Sequence, residues 1–91
     1  MNTTEAKAKI KTAGLDPADF DCRAIAAAIT AGQREAAAEI AEYLEEGLPV
    51  PAERTADAEY VTTVGYFWDV VASYGLARSD EAHEAAVSLA A

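Results

Sequence analysis

The chain has 91 residues, enough for one small domain, and 23 of them are alanine while only seven are aromatic. Sixteen acidic and seven basic residues give a formal net charge of −9, which disfavours direct binding to nucleic acid because the like charges repel. A single cysteine excludes an internal disulfide framework and suits a reducing compartment, and charges interrupt every apolar stretch before it reaches the length of a membrane span.

The N-terminal segment, residues 1–15, predicts a short, basic helix over about residues 4–13 that is loosely held against the rest of a single domain. Three lysines and one glutamate give this segment a net charge of +2, whereas four arginines and fifteen acids give the remaining residues −11. Its apolar face, Ala6, Ile10 and Ala13, is narrow, so it offers little area for packing.

A helix-start signal follows the first predicted helix. Asp16 can cap a helix and Pro17 suits the first helical position. The apolar pattern then predicts a central second helix that stops at Gly32 and a third helix over about Gln33–Glu46 that stops at Gly47, because glycine commonly ends helices.

An acidic stripe on the predicted third helix is the strongest candidate for a partner-binding surface. Glutamates recur at intervals of four, three and four residues, with one more beside them, and the stripe consists of Glu35, Glu39, Glu42, Glu45 and Glu46. Carboxylates one turn apart lie roughly 6 Å from each other and create a line of negative potential. Such a stripe can compete with nucleic acid for a basic groove, or it can simply keep an alanine-rich protein in solution.

A fourth helix is predicted over about Thr55–Tyr74, and a fifth from about Ser79. Gly65 falls within the main apolar stripe of the fourth helix, where we expect another helix to cross closely. A second line on the same helix combines an acid, an aromatic and an aliphatic residue, as contact patches do, and is a second candidate interface: Glu59, Thr63, Tyr66 and Val70. Burial of the helix on two sides is the alternative. The whole pattern predicts an all-α fold, a small compact bundle of about five short helices.

The residues that could support catalysis or bind metal do not form a recognisable site. Cys22 and His83 are the only cysteine and histidine, no spacing brings them together, and we expect a buried thiol and a surface imidazole. Asp16, Asp19 and Asp21 lack the glycine and glutamate positions of a calcium loop, so helix capping explains them better. We therefore expect no enzymatic activity, no metal and no cofactor.

These features predict a non-enzymatic, small acidic binding protein that inhibits or masks a basic, nucleic-acid-binding surface of a partner protein. In physical type the chain is similar to phage-encoded counter-defence factors, including anti-CRISPR proteins. The alternatives are a helical homodimeric adaptor and an immunity or antitoxin-type protein, which binds a basic toxin by complementary charge. We expect no direct nucleic-acid partner and no membrane partner. The first residues lack the apolar segment of a secretory signal, so the expected location is the cytoplasm, of the host cell if the protein is phage-encoded.

Overall fold

The computed structural model describes all 91 residues, which form five α-helices and no β-strand. In chain order these are α1 (Thr3–Thr12), α2 (Cys22–Glu45), α3 (Ala52–Tyr60), α4 (Val64–Ser73) and α5 (Asp80–Ala90). A short 3-10 turn, Pro17–Asp19, lies between α1 and α2. The prediction of an all-α bundle of about five helices is confirmed.

The second and third predicted helices are in fact one continuous helix of 24 residues, α2, so the predicted break at Gly32 is wrong. Gly32 does not adopt a positive φ, unlike the three glycines that end α1, α2 and α4. A single glycine in a helix interior costs only about 1 kcal/mol relative to alanine, and alanine-rich turns on both sides support the helix through this position.

The start of α2 also lies later than the sequence predicts. Asp16 and Pro17 begin the 3-10 turn, where the Asp16 side chain accepts a hydrogen bond from the Ala18 amide at 2.9 Å. Phe20 then adopts an extended conformation and is buried. Asp21 caps α2 by accepting a hydrogen bond from the Ala24 amide at 3.1 Å. Burial of the Phe20 ring in the core therefore interrupts the predicted helix.

The predicted fourth helix is divided into α3 and α4 by residues 61–63. The Thr63 side chain accepts a hydrogen bond from the Tyr66 amide at 3.2 Å and so caps α4 at its N-terminus. This local hydrogen bond offers the backbone an alternative to helix continuation. The change of direction allows the aromatic residues of α4 to enter the core.

The core is centred on α4. Trp68 lies edge-on to Phe67, with ring centroids 5.0 Å apart, and edge-on to Phe20 at 5.8 Å. Around these rings the largest fully buried aliphatic side chains are Ile10, Ile25, Ile29 and Val71. Aromatic pairs in this geometry add about 0.5–1.5 kcal/mol to the stabilisation from burial alone.

Helix α1 packs against α2 through the narrow face predicted from sequence. Ala6 and Ile10 are fully buried, and Ala13 is half-buried against the core. At the start of the chain, the Met1 amino group donates a hydrogen bond to Thr30 Oγ1 at 2.9 Å. The contact therefore depends on apolar burial rather than on the lysines, none of which forms an ion pair. How readily α1 detaches stays a prediction.

The molecule is elongated, measuring 47 × 24 × 20 Å. Its radius of gyration of 14.7 Å exceeds the value of about 12–13 Å typical of a chain this long. Residues 33–60, the second half of α2 together with α3, contribute only Ala36 to the buried residues, and we call them the arm. Helix α3 contains no buried residue. None of the five helices has the length and apolar character required to cross a membrane.

Candidate functional site

The acidic stripe lies on the arm, along the second half of α2. Glu39 is half-buried, and the remaining members are exposed: Glu35, Glu42, Glu45 and Glu46. Glu45 is the last residue of α2, and Glu46 occupies the position immediately after it. Because α2 is one continuous helix, the stripe is held on a rigid element anchored in the core at its other end.

Arg54 of α3 is the only cation that pairs with the stripe. Its Nη1 atom lies 3.2 Å from Glu39 Oε2 and 3.7 Å from Asp57 Oδ2. The nearby Tyr43 hydroxyl and the negative charge of Glu39 raise the pKa of Arg54 above its ordinary value. The Arg54 and Glu39 side chains are 41% and 38% exposed, and an ion pair this accessible to solvent contributes little stability.

The other four glutamates of the stripe have no lysine, arginine or histidine nitrogen within 4.0 Å. Arg54, which lines the same side of the arm as Glu42 and Glu46, offsets part of their mutual repulsion without forming an ion pair with them. An open depression of about 410 Å³ lies along this side of the arm, and its lining consists of Glu39, Glu42, Tyr43, Glu46 and Arg54. Three carboxylates around one depression can receive lysine or arginine side chains from another molecule.

The stripe also opposes the intrinsic polarity of α2. The C-terminal end of a helix carries partial negative charge and favours cations. The last turn of α2 contains Glu42 and Glu45 and no basic residue. Each unfavourable charge at a helix end costs roughly 0.3–1 kcal/mol at low ionic strength. The stripe therefore lowers the stability of the helix that carries it.

The second candidate interface loses one of its four residues to the core, and the other three do not lie on a single helix; their use by a partner stays a prediction. Val70 is only 3% exposed and belongs to the core. Glu59 is on α3, Thr63 caps α4, and Tyr66 is half-buried, so the four residues do not share one helix face. The break at residues 61–63 changes the helix direction and turns Val70 inward.

Tyr66 packs over Gly32, the residue that was expected to end a helix. A Cβ atom at Gly32 would overlap the Tyr66 hydroxyl oxygen and would lie 3.0 Å from Tyr66 Cζ. By contrast, a Cβ atom at Gly65 would meet only Thr63 Oγ1, at 3.7 Å. The close helix crossing predicted at Gly65 is therefore absent. Burial raises the pKa of Tyr66, and nearby Tyr74, Asp69 and Glu35 raise it further.

The cysteine, the histidine and the three aspartates considered for catalysis or metal binding lie apart from one another or form local hydrogen bonds. Cys22 is buried, as predicted, and its thiol donates a hydrogen bond to the Pro17 carbonyl at 3.4 Å. His83 is exposed on α5. Asp16 and Asp21 form the capping hydrogen bonds described above, and Asp19 is exposed. No three histidine, cysteine or acidic side chains gather closely enough to hold a metal ion.

Comparison with known proteins gives no relative from which a role can be carried over. No protein-family model matches the chain, and neither the curated proteins nor the solved structures contain a match. The acidic stripe and its surroundings are therefore the basis for a functional proposal.

Proposed function

We propose that this chain is a non-enzymatic acidic binding protein whose arm occupies and blocks a basic, nucleic-acid-binding surface of a partner protein. One observation carries the proposal: four of the five carboxylates in the stripe have no cation of their own chain within 4.0 Å. A basic partner surface would relieve their mutual repulsion, and complementary charge would speed and orient the encounter.

The unfavourable position of the stripe supports the same function. Glu42 and Glu45 destabilise the last turn of α2 without an internal compensating contact. Solubility alone does not require this placement, because acids at helix N-termini would provide equal charge without the cost. A surface that is retained against the stability of its own helix is typical of a binding site.

Apolar side chains at the end of the arm complete the features of an interface. Leu44 is 66% exposed and Leu48 is 49% exposed, close in sequence to the acidic residues at the end of α2. Interfaces combine apolar contact area with polar and charged groups that fix orientation. The arm therefore offers a partner both charge and contact area.

The alternatives fare differently. The homodimeric adaptor loses part of the surface on which it was based, because Val70 is buried and Tyr66 packs over Gly32. An immunity or antitoxin-type protein would use the same acidic stripe against a basic toxin. The identity of the bound partner therefore distinguishes that role from counter-defence of the anti-CRISPR type.

The proposal is tested by capture of partners from a lysate of the source cells at about 50 mM and about 500 mM salt, with nuclease present. Glu42→Lys/Glu45→Lys reverses two charges of the stripe, and Glu81→Lys/Glu84→Lys makes the same change in net charge on α5. Because screening weakens exposed charges, we expect basic proteins to be retained at low salt by the original protein and the α5 variant. We expect the arm variant to lose them.

Equal retention by both variants, or retention that is unchanged at high salt, would contradict a charge-based interface on the arm. Circular dichroism of both variants provides the folding control, because all four substituted side chains are exposed. A captured nucleic-acid-binding protein must also lose its affinity for a labelled oligonucleotide when the chain is added.

A further inference from the structure

A basic groove lies at the opposite end of α2 from the acidic stripe. It is an open cavity of about 540 Å³ between α1, the start of α2 and the loop before α5. Four of the seven basic side chains in the protein line it: Lys7, Lys11, Arg23 and Arg78. Three separate elements therefore bring positive charge to one place in a molecule whose net charge is −9.

None of these four cations forms an ion pair. The structure contains two ion pairs, and both belong to Arg54. Two carboxylates, Asp16 and Asp21, also line the groove. Each of them accepts a hydrogen bond from a backbone amide and caps a helical segment. These carboxylates keep their charge, so the groove lining carries four positive and two negative formal charges, a net of +2, and none of its cations is held in an ion pair.

The arrangement of the cations is defined by the fold. Lys7 and Lys11 are one helical turn apart on α1 and so share a face. Arg78 lies in a loop held by a hydrogen bond from its backbone amide to the Asp19 carbonyl at 2.7 Å. Arg23 is in the first turn of α2, where a positive charge opposes the helix dipole. This arginine, like the glutamates at the other end, is placed against the preference of its helix.

We propose that the basic groove binds a small phosphorylated ligand, one that carries two or more negative charges on phosphate groups. Arginine matches the geometry of phosphate oxygens, and lysine adds point charge. The cavity volume falls within the range of small-molecule sites. A long polyanion would also meet the acidic body and be repelled, whereas charges beyond about 10 Å are largely screened from a small ligand.

The groove is out of reach of the acidic stripe of the same molecule. Arg23 and Glu42 are separated by about 29 Å of continuous helix, and α2 has no break between them. The arm of a second copy could reach the groove, and the experiment includes this outcome. The groove and the acidic stripe are different surfaces, so loss of binding at one does not require loss of binding at the other.

The test is a titration of the full chain with inorganic tripolyphosphate and, in parallel, with ATP, followed by amide NMR shifts at about 0.1 M salt, where charges beyond about 10 Å are screened. Lys11→Ser and Arg78→Ser each remove one charge from the groove. Lys9→Ser removes the same charge from α1 outside the groove and is the matched control. We expect saturable binding that weakens about tenfold in each groove variant and less than twofold in the control.

The two probes distinguish the sources of the phosphate. Equal affinity for both assigns recognition to the phosphate chain alone, and tighter binding of ATP assigns a further contribution to the nucleoside. Absence of saturation at millimolar probe, or equal weakening by Lys9→Ser and Lys11→Ser, would overturn the proposal. So would a low-salt dimer that Glu42→Lys/Glu45→Lys abolishes and that persists in excess tripolyphosphate, because the arm of a second copy would then be the occupant. If the protein is a monomer, we expect Glu42→Lys/Glu45→Lys to retain tripolyphosphate binding, because these substitutions leave the groove unchanged. This result does not depend on whether the arm binds a protein partner.

Discussion

At Gly32, a side chain distant in sequence restricts which residue fits, although the surrounding helix would favour alanine. Tyr66 occupies the space where a Cβ atom would lie. We therefore expect Gly32→Ala to destabilise the protein by about 1–3 kcal/mol through overpacking, although alanine is the better helix former. In a Tyr66→Ala background the same change should instead stabilise by up to about 1 kcal/mol.

Urea denaturation of the two single variants and the double variant measures this coupling. If Gly32→Ala stabilises the protein even with Tyr66 present, the ring does not restrict this position. The comparison uses the effect of Gly32→Ala on the free energy of unfolding, with Tyr66 present and in the Tyr66→Ala background. The cost of losing the Tyr66 ring cancels, because it is common to both Tyr66→Ala proteins.

Tyr66 also makes stability depend on pH in the alkaline range. Burial raises its pKa in the folded protein, above the value of about 10 expected in the unfolded chain. Between these two values the folded state binds more protons, so the free energy of unfolding falls as pH rises. The stabilisation is complete below about pH 10 and is lost as pH rises through the folded pKa.

Tyr66→Phe should therefore reduce the loss of stability between about pH 9 and pH 11, measured as the shift of the urea midpoint. At neutral pH the variant should differ little from the original protein, because the Tyr66 hydroxyl makes no hydrogen bond in the structure. An unchanged alkaline slope would show that Tyr66 ionises as freely in the folded state as in the unfolded chain.

At the scale of the element, the last turn of α2 allows binding and stability to be separated. Glu45→Lys replaces an unfavourable charge at the helix C-terminus with a favourable one. We expect it to raise the free energy of unfolding by about 0.3–1 kcal/mol while weakening capture of a basic partner. Glu84→Lys, within α5, is the control and should leave both nearly unchanged. Thermal melts at low salt measure the first effect, and a destabilised Glu45→Lys protein would indicate an internal role for this glutamate.

The helical content was predictable from sequence, and the division into helices was not. The alanine-rich composition and the glycines with positive φ identify the fold class and the ends of α1, α2 and α4. Alanine-rich turns continue the helix through Gly32, and Tyr66, 34 residues away, occupies the space where a Cβ atom at this position would lie. The late start of α2 depends on burial of Phe20 against Trp68. The contact between Phe20 and Trp68 joins residues far apart in the chain, and local propensity contains no information about it.

The acidic stripe itself was predictable, because it depends only on helical periodicity within one continuous helix. Its pairing with Arg54 was not, since the arginine follows Glu39 by fifteen residues across a loop. The burial of Val70 was not predictable from the pattern of one long helix, because it follows from the break between α3 and α4. The basic groove also escaped prediction, because its four cations come from three separate elements.

At the scale of the whole molecule, negative charge is concentrated on the arm, where eight acids and two arginines give −6 of the total charge of −9. Positive side chains gather in the groove between α1 and the start of α2, and the unpaired glutamates occupy the arm. The number of acidic and basic residues alone describes a uniformly negative protein. The continuous helix α2 is what turns that composition into two distinct ends of a 47 Å particle.

The uneven distribution of charge affects how the molecule approaches a charged partner. A body whose negative charge is concentrated toward one end has a permanent electric moment and experiences a torque in the field of another charged body. Approaching a cationic surface, the protein would rotate so that the arm leads and the groove trails in solvent. Collisions would then arrive already aligned, and the chain could hold a small anion behind it while its front is engaged.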